Sequence, residues 1–245
     1  FKGSILFKCL IDNYIHHLEE TVLPEGDLSV EDYCICSREE IRRIYLEEFS
    51  FVPVFKRLDN LKEVLSNKLR NAKPKILEEI ETEHNRQIDS RRKAIEKAAL
   101  EKEALQKALL ENETLEEALE NEGSEDKTEL IQLMDLRDRK LKSVQNSLKT
   151  LVINYFNKII RRDLDFYFQE IMQAEGLKRF TPEPLDVKLV EYISKQSLDS
   201  FKHKEIEFED LAPLAYLQSK LFGFPEKPET SHVVIDEAQD LSLFQ

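Results

Sequence analysis

Apolar positions recur every three or four residues along most of this chain, and they rarely alternate. Ile5, Leu6, Leu10, Ile11, Tyr14, Ile15 and Leu18 form the first stripe, which predicts a helix that Pro24-Glu-Gly26 ends. Leu28 to Cys36 alternates instead, with Tyr33 and Ile35 in the pattern, and predicts a short strand. Ser37-Arg-Glu-Glu40 has capping-box spacing, so the next helix should open there. That helix carries Ile41, Ile44, Tyr45 and Phe49, and Pro53 limits it. Leu58, Leu61, Val64, Leu65 and Leu69 continue a helical face. Beyond Pro74 the chain reaches Glu122 without Pro or Gly and is rich in Ala, Glu, Lys and Leu, all strong helix formers. Gly123-Ser124 is expected to break this run. A second stretch follows with Met134, Leu141, Val144, Leu148, Leu151 and Tyr155. After a first step of seven these alternate between three and four, which is a heptad seam.

Two long helices around one break predict an antiparallel hairpin with its tip near 123–124. At 1.5 Å rise per residue, arms of ~45 residues would extend on the order of 70 Å. After Arg161 the aromatics cluster as Phe166, Tyr167, Phe168 and Phe180, as expected of a core where an arm meets its base. Gly176 is expected to cap the returning helix. Thr181-Pro-Glu-Pro184 should start a shorter helix through Tyr192. Asp210 should N-cap another from Leu211 to Phe222, stopped by Gly223. The expected fold class is therefore mainly α: a long antiparallel coiled-coil arm on a small helical base, with a short strand or two. Residues 1–55 and 166–230 would form the base, 56–165 the arm, and 231–245 a separate strand and loop.

Composition narrows the partners. The chain has 245 residues and a net charge of −13, without the overall basic footprint of a free-standing nucleic-acid binder. No apolar run approaches the ~20 residues of a membrane span. Three cysteines and no secretory signal predict a reducing cytoplasm. Cys9, Cys34 and Cys36 read as small core residues, although Cys34 and Cys36 would share one face of a strand. His16-His17 points to two sides of a helix and makes a poor metal pair. Arg86, Arg91, Arg92, Lys93 and Lys97 read as bases paired with Glu81, Glu83 and Glu96 on a solvated helix. Between Lys107 and Lys127 there is no Lys or Arg, while Glu111, Glu113, Glu116, Glu117, Glu120, Glu122, Glu125 and Asp126 all lie there. Such a tip would suit a basic partner surface, or would simply be a solvated helix end.

The densest chemistry is at the end of the chain. Val233 to Ile235 predicts a buried strand, and Asp236-Glu237 follows at its carboxyl end. Open α/β sheets place ligands there. One carboxylate can hold Mg²⁺ while the next positions or deprotonates a water that attacks phosphate.

His232-Val-Val-Ile-Asp-Glu-Ala-Gln-Asp240 resembles motif II, the Walker B element, of superfamily 1 helicases of the UvrD/Rep type, and Gln245 fits the glutamine that follows it. Asp210-Leu-Ala-Pro-Leu-Ala-Tyr-Leu217, Lys2-Gly-Ser-Ile-Leu-Phe7 and Tyr33-Cys-Ile-Cys-Ser-Arg-Glu-Glu-Ile41 are similar to the narrower HelD-type helicase-like ATPases. The middle of the chain is matched only in character. The resemblance implies a helical insertion in ATPase domain 1A that binds bacterial RNA polymerase and displaces nucleic acid. Asp236 would then be the Mg²⁺-associated acid and Glu237 the catalytic base for ATP hydrolysis. Gln239, Asp240 and Gln245 would couple the nucleotide site to the motor, and nucleic acid would be held by the full-length motor. A start at Phe1 and a motif at the end predict a piece of a longer protein. No Gly-x-x-x-x-Gly-Lys-Ser/Thr loop occurs, so this stretch alone is expected not to hydrolyse ATP. Two alternatives remain open: a conventional DNA helicase whose arm touches DNA or an accessory protein, and a structural coiled-coil adaptor.

Overall fold

The computed structural model describes residues 1–108, 116–203, 205–224 and 234, leaving aside the side chains of 102, 103, 105–108 and 116–127. It is mainly helical with one two-stranded sheet, as the periodicity predicts. The elements are α1 (Ile5–Thr21), β1 (Leu28–Val30), β2 (Tyr33–Cys36), α2 (Arg38–Arg43) and α3 (Val54–Ala108). They continue with α4 (Glu116–Phe156), α5 (Leu164–Met172), α6 (Ala174–Phe180), α7 (Val187–Lys202) and α8 (Phe208–Leu221). A π-helical turn, Ile44–Glu48, continues α2.

The chain divides into two compact units. The first takes residues 1–26, 37–64 and 155 onward; the second takes 27–36 and 65–154. The β1–β2 hairpin groups with the second unit, while the remainder of residues 1–55 groups with the first.

The first unit is built from amphipathic helices around a shared core. Ser4 caps α1, its hydroxyl accepting from the Phe7 amide, and α1 buries Phe7, Leu10, Ile11 and Tyr14. Ser37 caps α2 as expected, accepting from the Glu40 amide. Phe7 meets Phe168 of α5 edge-on at 6.4 Å, and Tyr14 meets Phe180 of α6 at 5.1 Å. Phe55 stacks on Phe222 at 5.0 Å. Full burial of one such ring is worth about 3 kcal/mol, so the aromatic group expected as core is a principal stabiliser. Of that group Phe166 is the one exposed, at 45%.

Several expected boundaries move. Gly176 does not cap a helix. It lies buried inside α6, one turn after the single residue Gln173 that links α5 to α6. A Cβ at Gly176 would sit 2.2 Å from the Glu170 carbonyl oxygen and 2.7 Å from that of Ile171. The glycine is there for close approach of two helices, which sequence spacing alone does not distinguish from a cap. α7 starts later and runs further than expected, because Asp186 supplies the N-cap, accepting from the Lys188 and Leu189 amides. α8 starts three residues before Leu211, and Asp210, the expected cap, is buried within it. Gly223, at φ 73°, ends α8 as expected, with its amide donating to the Gln218 carbonyl.

The second unit is a helix pair with a hairpin against it. Val30 of β1 packs with Ile76 and Ile80 of α3 and with Val144 and Leu148 of α4; Tyr33, Ile35, Leu69, Leu141 and Leu151 surround them. Further along, Arg137 donates to Asn85 at 2.9 Å and Arg91 Nε donates to Glu129 at 2.8 Å. Partners on α4 fall in number as those on α3 rise, so the two helices run antiparallel. Strands β1 and β2 pair antiparallel, with an irregularity between Leu28 and Ser29, and the turn places Glu31 at φ 49°.

The break expected at Gly123-Ser124 is absent, and a proline is accommodated within a helix. α3 passes through Pro74, and α4 passes through Gly123 and Ser124. The tip expected near 123–124 is thus not a turn. A helical glycine costs about 1 kcal/mol relative to alanine, too little to interrupt a run of strong helix formers. Pro74 is exposed, so the carbonyl it deprives of a donor can turn to water.

Candidate functional site

Asp236, Glu237, Gln239, Asp240 and Gln245 lie outside the described residues, as does Glu113. Of the run expected as a buried strand only Val234 is described, and it is 93% exposed. The sheet of the described residues is β1–β2 alone, so no described strand covers it. Glu116, Glu117, Glu120, Glu122, Glu125 and Asp126 fall in α4, with their side chains outside the described set.

Polar chemistry gathers elsewhere. The first cluster joins the start of the chain to α8. Lys2 Nζ lies 2.8 Å from Glu207 and 2.7 Å from Asp210, with the Lys2 and Asp210 side chains almost wholly buried. Glu207 also accepts from Gln196 at 3.1 Å and Ser200 at 3.2 Å. Burial pulls the Lys2 ammonium down, but its bonds to Asp210 and Glu207 outweigh this and hold it above the usual lysine range. Burial pushes the Asp210 carboxyl up despite Lys2, whereas the Lys2 bond holds Glu207 below its ordinary value. A lysine held charged in this way is no nucleophile; the cluster is a clasp. Patterning missed it, because a lysine at position 2 and an acid at 210 carry no local signal.

The second gathering is an open cleft of about 450 Å³ in the first unit, bordered by Asp12, Glu19, Phe51, Arg57 and Lys220. Arg57 organises it. The guanidinium donates to the carbonyls of Val52 at 2.5 Å and Ser50 at 2.9 Å, and pairs with Glu19 at 2.8 Å. The Ser50–Pro53 turn is thereby fixed and presents Phe51, which is 84% exposed. Asp12 accepts from Tyr216 at 2.6 Å and pairs with Lys8 at 2.7 Å. Arg57 and Glu19 satisfy each other, as do Lys8 and Asp12, while Lys220 lies over the Tyr216 ring at 5.5 Å.

A third pair, buried Tyr14 donating to exposed Glu170 at 2.5 Å, couples α1 to α5. Burial raises the Tyr14 phenol well above its ordinary range, so it stays a donor. Neighbouring His17 lies against Phe180, and burial with the Arg179 charge lowers its pKa.

Metal binding by the cysteines and histidines finds no support among the described residues, where no three metal-ligating side chains converge. Cys36 is buried, Cys9 half-buried and Cys34 exposed. Cys34 is thus not the core residue expected, and it does not share a buried face with Cys36, because the pairing is irregular at that end of β1. The basic residues Arg86, Arg91 and Lys97 are paired, but only Arg86 with an expected acid, Glu83 at 3.9 Å. Lys97 meets Glu101 at 3.7 Å, and Arg91 reaches across to Glu129. No described helix is long and apolar enough to cross a membrane.

No protein-family model, curated protein or solved structure matches this chain.

Proposed function

We propose that this chain is the insertion-arm region of a superfamily 1 helicase-like ATPase, and that its helix pair engages a protein partner, bacterial RNA polymerase. One observation carries the proposal. The chain leaves a helical unit after Val64, forms an antiparallel helix pair, and returns to the same unit at Tyr155. That is insertion topology, and the motif of residues 232–240 follows it in sequence. The narrow core of the pair suits a rigid element that engages by position rather than by enclosing a ligand.

Under this proposal Asp236 and Glu237 belong to a Mg·ATP site completed by other parts of the protein. The described residues do not fit a nucleotide: no metal-ligating cluster forms among them, and the chain has no glycine-rich phosphate loop. Chemistry on ATP therefore falls to residues outside them.

The test is co-purification of the 245-residue chain with core RNA polymerase. Binding that weakens when Glu116, Glu117, Glu120 and Glu122 are changed to Gln supports engagement through the acidic end of α4. No co-purification at low ionic strength refutes the polymerase assignment. Retained binding with those four glutamines moves the contact elsewhere on the pair.

A further inference from the structure

The overall charge conceals a sharp partition within the helix pair. From Leu65 to Leu77, α3 carries Lys68, Arg70, Lys73 and Lys75 and no acid. From Arg139 to Asn154, α4 carries Arg139, Lys140, Lys142 and Lys149 and no acid. Packing of Ile76 and Ile80 against Val144 and Leu148 brings these two stretches to neighbouring levels. A chain of net charge −13 thus concentrates eight bases in one short section of its second unit.

Helical geometry sorts the eight, since each residue turns about 100° round its axis. Relative to the seam Leu65, Leu69, Ile76 and Ile80, Arg70 and Lys73 lie on one flank of α3, with Lys68 and Lys75 on the other. Relative to Val144 and Leu148, Lys142 and Lys149 lie on one flank of α4 and Lys140 on the other, with Arg139 at the back. In an antiparallel pair, flanks reached by turning the same way from the seam share one side. Arg70, Lys73, Lys142 and Lys149 therefore face one side together. The hairpin occupies the opposite side, where Lys140 Nζ lies 2.5 Å from Glu31.

On the open side, Arg70, Lys142 and Lys149 are exposed and Lys73 is half-buried. Lys149 reaches only the neutral Asn146, at 3.3 Å. By the same helical count Glu63 at one end, and Glu81 and Asp138 at the other, are the nearest acids on that flank and bound the strip. From Arg70 to the level of Lys142 it extends about 18 Å.

The geometry points to a binding strip for the phosphate backbone of a nucleic acid, without sequence preference. Charge complementarity argues for a polyanion. The strip's apolar poverty argues against a protein occupant, because specific protein interfaces have an apolar core. One large apolar side chain, Ile153 at the level of Arg70, is exposed along the strip, and a single isoleucine does not make an interface core. About 18 Å spans roughly five nucleotides of one strand at 3.4 Å per step. This inference is independent of the polymerase assignment and needs neither ATP nor motif II.

The test is fluorescence anisotropy with the 245-residue chain and labelled duplex or single-stranded DNA of mixed sequence. With four phosphates neutralised, affinity for duplex should fall on the order of 10²-fold between about 50 and 200 mM salt. The double variants Arg70→Glu/Lys73→Glu and Lys142→Glu/Lys149→Glu should each weaken binding at least about 10-fold and flatten the salt slope by about 2. The control Arg86→Glu/Arg92→Glu, on α3 beyond the strip, changes net charge equally and should cost under about 3-fold. Helical content is checked by circular dichroism, and Gln replaces Glu if a reversal variant loses helix. No binding at low salt overturns the inference, as does equal weakening by the control. Tighter binding of polyglutamate than of DNA overturns it in favour of an acidic protein.

Discussion

Replacing Gly176 with Ala isolates the contact that joins α5 to α6. The added Cβ would meet the Glu170 carbonyl oxygen at 2.2 Å, where a tolerated contact needs at least 3.0 Å. The helices must therefore part by about 0.8 Å at that point. Neither neighbour can yield by rotation, since both crowded atoms are backbone oxygens and only Gln173 links the helices. Leu177 and Ile171, both fully buried, would be prised apart with them. Overpacking of this kind costs about 1–3 kcal/mol, and the gain in helix propensity offsets up to about 1 kcal/mol. A net loss of about 1–2 kcal/mol should lower Tm by roughly 2–8 °C for a unit of this size. Thermal melts followed by circular dichroism measure it. Gly123→Ala, inside α4, is the matched control and should raise helix stability by up to about 1 kcal/mol. A neutral or stabilising Gly176→Ala would refute the close-approach argument and restore the role of a helix cap.

Leu148→Ala should cost about 2–5 kcal/mol by opening a cavity in the second unit's small core. Hydrogen exchange should accelerate in residues 65–80 and 140–152 more than in α1 or α5; uniform acceleration would contradict two units. Lys2→Met should destabilise by about 3–5 kcal/mol, because Asp210 is left buried without its cation. Adding Asp210→Leu should recover much of that loss in urea unfolding, and no recovery would mean the clasp is not the cause. His17 has a lowered pKa when folded, so the unfolded chain binds more protons below about pH 6.5. Its contribution is present above that value and lost as pH falls. His17→Gln should flatten the decline in stability between about pH 7 and 5, and an unchanged slope would remove His17 from it.

Local periodicity carried much of the fold. The Ser37 cap, the stop at Gly223 and the seam through Val144 and Leu148 follow from spacing within one or two turns, where side chain and backbone interact directly. What escaped depends on distance. Gly176 has two structural roles that look alike in sequence, and only the path of α5 separates them. Asp210 has the composition of an N-cap, yet it lies inside α8 because Lys2, far away in sequence, neutralises it there. Strands β1 and β2 were legible as alternation but not as a hairpin, since Glu31-Asp32 is no glycine turn and Glu31 adopts a positive φ regardless. Of the predicted phosphate chemistry at residues 232–245, the described structure contains only Val234.

Pro74 leaves α3 with one missing rung. Its ring nitrogen cannot bond back to the Arg70 carbonyl, while the facing stretch of α4 keeps every donor. A bending load on the pair would therefore concentrate at a single turn of a single helix. α3 is thus a beam with a built-in notch, and Pro74→Ala would stiffen it without touching the seam.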